Sequence, residues 1–342
     1  MGKSAFRSYP VFAIIAAILL IAGCGGNQTI TSPQAGAQRL PVATPSPTPS
    51  PTPAPTPAAS PTPTPSPVPT SVPAVDHVFL VVLENHGFAQ VIGNPAMPYL
   101  NSLAAQQSLA TQYYANTHPS IGNYFMLTAG NLETNDDAFT GTVTDDNIVR
   151  ALLAAGKTWK AYAQSLPSPG YLGPDVYPYF KHHNPFTYFS DVVNSSVLAD
   201  NIVPFSQLST DVSSGSLPQF DYLLPDAEHD AHDCPTGGSL CLDSDKLAAA
   251  DNWLKANLAP LISNPTLANS VFIVVFDEAL DIDVTHGGGR VAAVIAGAHV
   301  KPAFKSTTLY QHQSTLRLIL ELLAVADRPG LSATAPDMAE FF

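Results

Sequence analysis

The sequence predicts an α/β fold, a three-layer α/β/α sandwich around a mostly parallel central sheet. The main evidence is three apolar runs, each with the length of a buried strand: HVFLVVLEN (77–85), SVFIVVFDE (270–278) and RVAAVIAG (290–297). Segments with helical patterns lie between the first and second of these runs and after the third. Strands that alternate with helices favour a parallel sheet that is covered on both faces.

The other elements are predicted from hydrophobic periodicity and capping residues. In a helix over 95–109, Leu100, Leu103 and Ala104 fall on one face, as expected of a helix that packs against a sheet. Further along the chain we predict a capped helix over 145–155, a strand over 159–162, an amphipathic helix over 243–262 and a closing helix over 310–325.

The N-terminal segment has the composition of an export signal. Residues 11–22 (VFAIIAAILLIA) are apolar and follow Lys3 and Arg7, which is the order found in signal peptides. The run ends in LIAGC, a pattern typical of a bacterial lipobox, so residues 1–23 are predicted to be removed and Cys24 to be lipidated. In an ordinary secretory signal Cys24 would have no role. Both interpretations predict an exported protein, and the first predicts a lipoprotein anchored in the cell envelope by its lipid alone.

A proline-rich spacer is predicted to separate this anchor from the folded part. Residues 24–40 form the lipidated N-terminal segment, and residues 41–73 are almost wholly Pro, Thr, Ser and Ala. The spacer cannot bury enough apolar area to offset the entropy of ordering, so we expect a disordered stalk. Its prolines keep it extended at about 3.1 Å per residue. Residues 74–342 are then long enough for one large α/β domain.

The predicted domain is strongly acidic. Its 27 Asp and Glu residues face 11 Lys and Arg residues, a formal net charge of −16. Such a surface has no electrostatic footprint for nucleic acid, and it suits an exported enzyme or a site that holds cations. The chain has no tandem repeat that implies an assembly, so a monomer is expected. Cys234 and Cys241 are close in sequence, which in an oxidising compartment favours a loop-closing disulfide over a metal–thiolate pair.

Two of the predicted strands end directly in polar pairs. Glu84 and Asn85 follow the first strand, and Asp277 and Glu278 follow the later one. Any one of these residues alone could simply cap a helix. Because ligands of parallel sheets bind beyond the carboxyl ends of the strands, however, the four are expected to meet. Three carboxylates together repel one another unless a cation lies between them. Oxygen ligands suit one Mg²⁺, Ca²⁺ or Mn²⁺ ion, and an added histidine would admit Zn²⁺ or Fe.

The stretch THPSIGNY (117–124) predicts a nucleophile at a strand-to-helix turn. Ser120 follows Pro119 and leads into the apolar run FMLTAG, so it is expected in the first turn of a helix. Free N–H groups and the helix dipole favour an anion there. Asn123 lies three residues further on and shares that face. Ser120 alone would be an ordinary N-cap residue, and the predicted cation site at the same edge favours the catalytic interpretation.

Seven motifs occur in a fixed order between residues 76 and 325. They are HVFLVVLENHGFAQVIGN, THPSIGNY, AYAQSLP, KHHNPF, HDAHDCP, FDE and HVKPAFKSTTLYQHQSTLRLILELL. Together they resemble the bacterial and fungal phosphoesterase family, which contains acid phosphatases and phosphatidylcholine-type phospholipases C and belongs to the alkaline-phosphatase-like superfamily. The THPS-x-x-NY form and the modest length are more similar to the acid phosphatase branch.

The resemblance implies an alkaline-phosphatase-like fold and a metal-dependent hydrolase of phosphate esters. It implies these roles: metal ligation by Glu84, Asn85, Asp277 and Glu278, nucleophilic attack by Ser120, contact of Asn123 with a phosphoryl oxygen, and proton donation or phosphoryl contact by His183 and His232. Asp230 and Asp233 flank His232. Thr117 is a rival nucleophile.

Three positions depart from the family pattern. Gly122 replaces the usual proline two residues after the serine, which predicts a looser turn. His229 replaces the usual asparagine of the NDxHD motif, which makes it a candidate extra ligand. The stretch after Glu278 reads ALDIDVTHGGGR instead of the usual acidic, glycine-rich run, and its His286 is a second candidate.

The predicted function is hydrolysis of a small phosphate monoester through a phosphoserine intermediate. One alternative is a phospholipase C-type phosphodiesterase that acts on phospholipid head groups. Another is a non-catalytic binding module on a stalk. The complete set of six motif residues argues against this last interpretation: Glu84, Asn85, Ser120, Asn123, Asp277 and Glu278.

Overall fold

An eight-stranded sheet forms the centre of the computed structural model, which describes residues 72–238 and 240–342. The strands are β1 His77–Leu83, β2 Ser108–Tyr114, β3 Trp159–Ala163, β4 Ile202–Pro204, β5 Phe220–Leu224, β6 Ser270–Phe276, β7 Arg290–Gly297 and β8 Lys305–Gln311. Their order across the sheet is β4-β3-β5-β1-β6-β7-β2-β8.

Seven of the eight strands run in the same direction, and one runs in the opposite direction. β1 pairs parallel with β5 and β6, and β3 pairs parallel with β4 and β5. β2 pairs parallel with β8, whereas β7 runs antiparallel to both β6 and β2. The prediction of a mostly parallel sheet is therefore confirmed, with β7 as the reversed strand.

Nine α-helices connect the strands within the described residues. They are α1 Phe88–Val91, α2 Pro98–Gln106, α3 Ser120–Thr128, α4 Ile148–Ala154, α5 Ser190–Val193, α6 Ser196–Ala199, α7 Gln207–Ser214, α8 Asp243–Ile262 and α9 His312–Leu322. A 3₁₀ turn over Lys181–His183 also bears on the site. α4 begins where Asn147 accepts a hydrogen bond from Arg150 N (3.2 Å), which satisfies one of the free amides of the first turn.

Helices cover the sheet on both faces. Every residue of β5 and β6 is buried, and so is every residue of β1 after His77. Because successive side chains of a strand point to opposite faces, this burial requires a layer on each side. α3 packs against α9, and α2 packs against α8. The structure is thus the predicted α/β/α sandwich.

The hydrophobic pattern of the sequence predicted the long apolar elements correctly. It did not predict several strands that are short or that carry polar residues. The structure has strands and a helix where they were predicted over 77–85, 270–278, 290–297 and 243–262. The predicted helices over 95–109 and 310–325 were too long, because their ends belong to β2 and β8. β2 contains Thr111 and Gln112, and β8 is an edge strand with mostly exposed residues, so neither shows a continuous apolar run. β4 and β5 were also not predicted.

The predicted signal peptide, Cys24 and the stalk over 41–71 lie outside the described residues. Within residues 72–238 and 240–342, none of the helices combines the length and the apolar character needed to cross a bilayer.

Candidate active site

The two polar pairs meet at one edge of the sheet. β1 and β6 are neighbours, and their last residues, Leu83 and Phe276, lie opposite each other in register. Glu84 and Asp277 therefore leave the sheet side by side, although the chain separates them widely. A hydrogen bond from Asn85 N to Asp277 Oδ1 (2.9 Å) joins the two strand ends.

Burial controls the charge of the three carboxyl groups at this edge. Glu84, Asp277 and Glu278 are 0%, 0% and 2% exposed. Burial raises the pKa of Asp277 to about 6, and burial together with the charge of Asp277 raises the pKa of Glu278 to about 10. The pKa of Glu84 is raised well above its usual range by burial and then by Asp277. The three groups cannot all ionise at neutral pH without a compensating cation.

Ser120 begins α3 and faces this cluster. Its side chain is buried, and its Oγ donates a hydrogen bond to Glu84 Oε2 (3.0 Å). The next amide, Ile121 N, donates to Asp137 Oδ1 (3.0 Å). Thr117, the rival nucleophile, instead donates from its Oγ1 to the carbonyl of His118 (3.0 Å). Of the two hydroxyls, only that of Ser120 is hydrogen-bonded to one of the clustered carboxylates.

The side chain of Asn123 is hydrogen-bonded both to the turn before α3 and to Glu278. Its Oδ1 accepts from the backbone N–H groups of Asn116 (2.9 Å) and Thr117 (3.2 Å). Its Nδ2 donates to the carbonyl of Thr117 (2.9 Å) and to Glu278 Oε2 (3.2 Å). The amide of Asn123 is thus fully engaged in holding the turn and one carboxylate, and contact with a phosphoryl oxygen would require the hydrogen bond to Glu278 to be exchanged.

Gly122 does not loosen this turn. It lies in the first turn of α3 and is buried. A Cβ at this position would come within 2.5 Å of Asn135 Oδ1 and 2.6 Å of Thr117 Cγ2. The expectation of a looser turn was therefore wrong, because the missing side chain lets the segment around Asn135 pack directly on the helix.

His183 is a buried part of the same cluster. It ends the 3₁₀ turn over Lys181–His183, with Nε2 lying 3.5 Å from Glu84 Oε1 and Nδ1 lying 3.2 Å from Asp230 Oδ2. Its ring stacks on Tyr124, with centroids 5.2 Å apart. Burial lowers the pKa of His183 well below its usual range. A neutral imidazole is suited to act as a ligand or hydrogen-bond acceptor rather than as an acid.

His232 lies at the open side of the cluster. It is partly exposed, and its ring centroid is 5.5 Å from that of His183. Its Nδ1 lies 3.0 Å from Asp233 Oδ1, and its backbone N donates to Asp230 Oδ1 (2.8 Å). Cys234 and Cys241 are joined by a disulfide that closes the loop directly after this segment.

The two candidate extra ligands have other partners. His229 Nδ1 lies 2.6 Å from Asp226 Oδ1, and this hydrogen bond raises the pKa of His229. His286 is exposed, and its ring packs edge-on against Tyr114 with centroids 4.3 Å apart. Among the described residues, neither histidine belongs to a group of side chains close enough to share a metal ion.

Two further residues of the site were not predicted. The hydroxyl of Tyr124 donates to Glu84 Oε1, and His118 Nδ1 lies 3.1 Å from Glu278 Oε2. Tyr124 is four residues after Ser120 and therefore on the same helix face, a signal that could have identified it. His118 reaches Glu278 only because the loop after β2 folds across the sheet edge, which the spacing alone does not indicate.

The donor atoms of the site fit a divalent metal ion. Two groups have donor atoms within 4.8 Å of one another: Glu84 with His183 and His232, and Glu278 with His118 and Asp281. Two buried atoms of the cluster, Asp277 Oδ2 and His183 Nε2, have no hydrogen-bond partner among the described residues. A buried polar atom without a partner costs about 1–3 kcal/mol, and a cation bound at either atom would remove that cost there. Asp277 belongs to neither of the two groups, and neither group joins Glu84 to Glu278.

The fold is similar to that of a solved protein of the alkaline phosphatase superfamily. A Vibrio parahaemolyticus protein of that superfamily aligns with a TM-score of 0.56 at 13% identity, over 77% of this chain and 70% of its own. At this identity the likeness concerns the fold alone.

Sequence comparison identifies the family more closely. Residues 94–326 match the Phosphoesterase family. A phosphatidylinositol-3-phosphatase of Mycobacterium tuberculosis (strain H37Rv) is 32% identical over 78% of this chain and 82% of its own length. A probable acid phosphatase of Kluyveromyces lactis is 29% identical over 71% of this chain, which spans 57% of that longer protein. The chain therefore belongs to the Phosphoesterase family and is a hydrolase of phosphoric esters similar to acid phosphatases.

Proposed function

We propose that this hydrolase is a metal-dependent phosphomonoesterase that acts through a phosphoserine at Ser120. The observation that carries the proposal is the hydrogen bond from Ser120 Oγ to Glu84 Oε2 (3.0 Å) at the start of α3. It pairs a nucleophile with a proton acceptor beside a helix N-terminus, where an anion is favoured. The phosphatase names of the relatives, one of them named for a lipid monoester, favour a monoester over a diester.

One divalent ion is proposed to bind among Glu84, Asn85, Asp277 and Glu278. When bound, it would neutralise the phosphoryl group and lower the pKa of the Ser120 hydroxyl. The unpartnered His183 Nε2 near Glu84 adds a nitrogen donor. Mixed oxygen and nitrogen donors favour Mn²⁺, Fe or Zn²⁺ over Mg²⁺ and Ca²⁺.

In the first step, Ser120 Oγ attacks phosphorus and its proton passes to Glu84 Oε2. The bond between phosphorus and the leaving oxygen breaks, and the departing alcohol takes a proton from His232. We assign the acid role to His232 rather than to His183 because His232 is the more exposed and has Asp233 at its Nδ1. A carboxylate at one nitrogen stabilises the imidazolium and leaves the other nitrogen for the substrate.

In the second step, water attacks the phosphoserine and gives up a proton to the now neutral His232. The bond between phosphorus and Ser120 Oγ breaks, and the oxygen recovers its proton from Glu84. Both side chains thereby return to their starting states, and inorganic phosphate is released. Asn123 and Tyr124 position the reacting groups, since each donates a hydrogen bond to a carboxylate of the cluster.

Export and lipid anchoring at Cys24 are part of the proposal. They are supported by the apolar run over 11–22, by the sequence LIAGC and by the proline-rich stretch that follows. The stalk over 41–73 would hold the catalytic domain, residues 74–342, away from the membrane as a monomer. Labelling with radioactive palmitate in a bacterial host, with Cys24→Ser as control, tests this part separately.

Replacement of the nucleophile tests the proposed activity. We expect purified Ser120→Ala to fold normally and to lose at least about 10³-fold in kcat toward p-nitrophenyl phosphate, because the substitution removes the hydroxyl that we propose as the nucleophile. Ser270→Ala is the matched control, since Ser270 is a buried serine at the opposite end of β6 whose Oγ has no hydrogen-bond partner among the described residues.

Turnover of Ser120→Ala near that of the wild-type protein would remove Ser120 from the mechanism. The same assay separates the two ester classes when phosphatidylcholine is the substrate. Release of phosphocholine without hydrolysis of p-nitrophenyl phosphate would replace the monoesterase proposal with the phospholipase C alternative.

A further inference from the structure

A cavity of about 380 Å³ lies beside the candidate active site. Its walls include Asp137, Phe139, Leu172, Asp175, Lys181 and Tyr188. Its volume is within the range of small-molecule sites, roughly 300–1,000 Å³, and corresponds to one ring with its substituents rather than to a pair of acyl chains.

Two contacts connect the walls of the cavity to residues next to the reacting groups. On one side, Asp137 Oδ1 accepts the hydrogen bond from Ile121 N (3.0 Å), the residue after Ser120. On the other side, Asp175 Oδ2 lies 3.2 Å from His182 Nδ1, and the His182 ring is 4.5 Å from that of His183. The cavity therefore adjoins Ile121, which directly follows Ser120, and His182, which directly precedes His183.

The aromatic walls offer a flat apolar face. The rings of Phe139 and Tyr188 stack with centroids 5.7 Å apart and an interplanar angle of 28°. Lys181 Nζ lies 4.4 Å from the centroid of Tyr188. Within residues 72–238 and 240–342 this ammonium has no carboxylate within 4.0 Å and makes no hydrogen bond, so its donors remain available to a ligand.

The charges of the walls select among leaving groups. A second phosphate would be repelled by the carboxylates of Asp137 and Asp175, which outnumber the single ammonium of Lys181. A quaternary ammonium would be repelled from the aromatic wall by Lys181 Nζ, which already lies 4.4 Å from the centroid of Tyr188. A neutral ring with several hydroxyls meets neither repulsion, because its hydroxyls donate to the carboxylates and accept from the ammonium. The C–H face of such a ring can pack on Phe139, the partly exposed ring of the pair, in the way that apolar surfaces pack on aromatic side chains.

We propose that this cavity binds the leaving alcohol and that it selects phosphate monoesters of neutral, polyhydroxylated rings, such as hexose phosphates. The proposal rests on the proposed phosphomonoesterase activity. Leu172 and Lys181 are its specificity-determining residues, and neither takes part in the transfer of the phosphoryl group.

Two substrates with similar leaving groups test the proposal. Glucose 6-phosphate reaches the cavity, and methyl phosphate does not. We expect kcat/KM of the full chain to be at least about tenfold higher for glucose 6-phosphate, which corresponds to one or two hydrogen bonds to charged groups. Leu172→Trp, which fills the cavity, and Lys181→Met, which removes the ammonium, should each abolish this preference through KM while methyl phosphate hydrolysis is unchanged.

Lys305→Met is the matched control, because Lys305 is an exposed lysine on the edge strand β8, and it should keep the full preference. An unchanged preference in both cavity variants would overturn the proposal, and so would an equal loss for both substrates, which would indicate damage to the catalytic centre. Hydrolysis of methyl phosphate with no preference in the wild-type protein would refute the cavity proposal alone. Failure to hydrolyse any monoester would refute the proposed function and the cavity proposal together.

Discussion

Glu84 connects most of the polar groups of the candidate site. Its two carboxylate oxygens accept hydrogen bonds from Ser120 and from Tyr124, and Oε1 also lies 3.5 Å from His183 Nε2. Its backbone N donates to the carbonyl of Asp230 (2.8 Å). A carboxylate held in this way has one orientation, which is what a metal ligand and a proton acceptor both require.

Removal of the Tyr124 hydroxyl tests whether its hydrogen bond fixes the orientation of the Glu84 carboxylate. We expect Tyr124→Phe to weaken metal binding by about tenfold or more, because the Glu84 carboxylate would lose a hydrogen bond that holds it in the orientation needed to bind the metal. Isothermal titration with Mn²⁺ or Zn²⁺ measures the affinity. Tyr310→Phe is the control, since Tyr310 is also buried and donates to a carboxylate oxygen, Glu340 Oε1 (2.6 Å), away from the site.

Equal affinity in Tyr124→Phe and the wild-type protein would show that Tyr124 does not position Glu84. A loss in Tyr310→Phe as large as that in Tyr124→Phe would show a general effect of lost stability instead.

At the scale of single residues, the sequence identified side chains that lie directly at element ends. Glu84 and Asp277 follow apolar strands without a gap, and Ser120 precedes an apolar helix, so local pattern was enough to find them. The role of His118 depends on how the loop 115–119 crosses the sheet edge, which no local pattern specifies. The resemblance to the phosphoesterases supplied His183 and His232, whose spacing alone is uninformative.

At the scale of elements, the reversed strand β7 brings two loops together. The chain between β6 and β7 returns to the edge where Glu84 lies, and its Gly287 and Gly288 pack on the loop that precedes α3. Gly287 has a φ of +112°, and a Cβ there would lie 1.9 Å from the carbonyl oxygen of Asn116. A Cβ on Gly288 would lie 2.2 Å from the carbonyl oxygen of Thr117. Glycine is therefore required at positions 287 and 288 by close contact with the backbone of the loop that precedes α3.

Substitution of Gly288 tests this contact, because its φ is not in the left-handed region and the effect would be steric. We expect Gly288→Ala to lower the free energy of unfolding by about 1–3 kcal/mol and to reduce kcat, since the displaced backbone of Thr117 leads directly into Ser120. Urea denaturation and p-nitrophenyl phosphate hydrolysis measure the two effects. Gly238→Ala, where the nearest atom to the new Cβ is 3.8 Å away, should change neither.

Unaltered stability and activity in Gly288→Ala would mean that the two loops are not held together as the structure has them.

The elements that could be predicted are those with a long continuous apolar run or a clear periodic apolar face. α8 was predicted with its observed ends, Asp243 and Ile262, because acidic residues at its first turn and a periodic apolar face mark them. β2 and β8 lie in the outer half of the sheet and carry polar residues, so their pairing depends on tertiary contacts that the sequence does not display.

At the scale of the whole molecule, one buried acid outside the site is expected to make the stability of the fold depend on pH. Asp221 lies within β5, is 0% exposed, and neither of its carboxylate oxygens has a hydrogen-bond partner among the described residues. Its nearest basic group is His77, whose Nδ1 is 4.0 Å from Asp221 Oδ2. Burial, followed by repulsion from Asp211, raises the pKa of Asp221 well above its usual value, and Lys160 opposes this only weakly.

The sign of the resulting pH dependence follows from the raised pKa. The folded state holds the Asp221 proton more tightly than the unfolded state, so this stabilisation is complete below the unfolded pKa of about 3.9 and is lost as the pH rises through the folded pKa. We expect Asp221→Asn to gain stability relative to the wild-type protein as the pH increases, by about 1.4 kcal/mol per pH unit in that interval.

Urea denaturation between pH 4 and pH 8 measures the difference, and the exposed Asp200→Asn serves as control. If the stabilities of Asp221→Asn and the wild-type protein changed with pH in the same way, the pKa of Asp221 would not be higher in the folded state than in the unfolded state, and the account would be wrong.

The measurement that tests the central claim most directly is rapid acid quench of the enzyme during a single turnover of p-nitrophenyl phosphate, followed by peptide mass spectrometry. The account predicts one phosphoryl group on Ser120, which accumulates and disappears within the turnover and is absent from Ser120→Ala. A phosphoryl group on Thr117 or on a histidine, or product release with no phosphorylated peptide at any time, would contradict it.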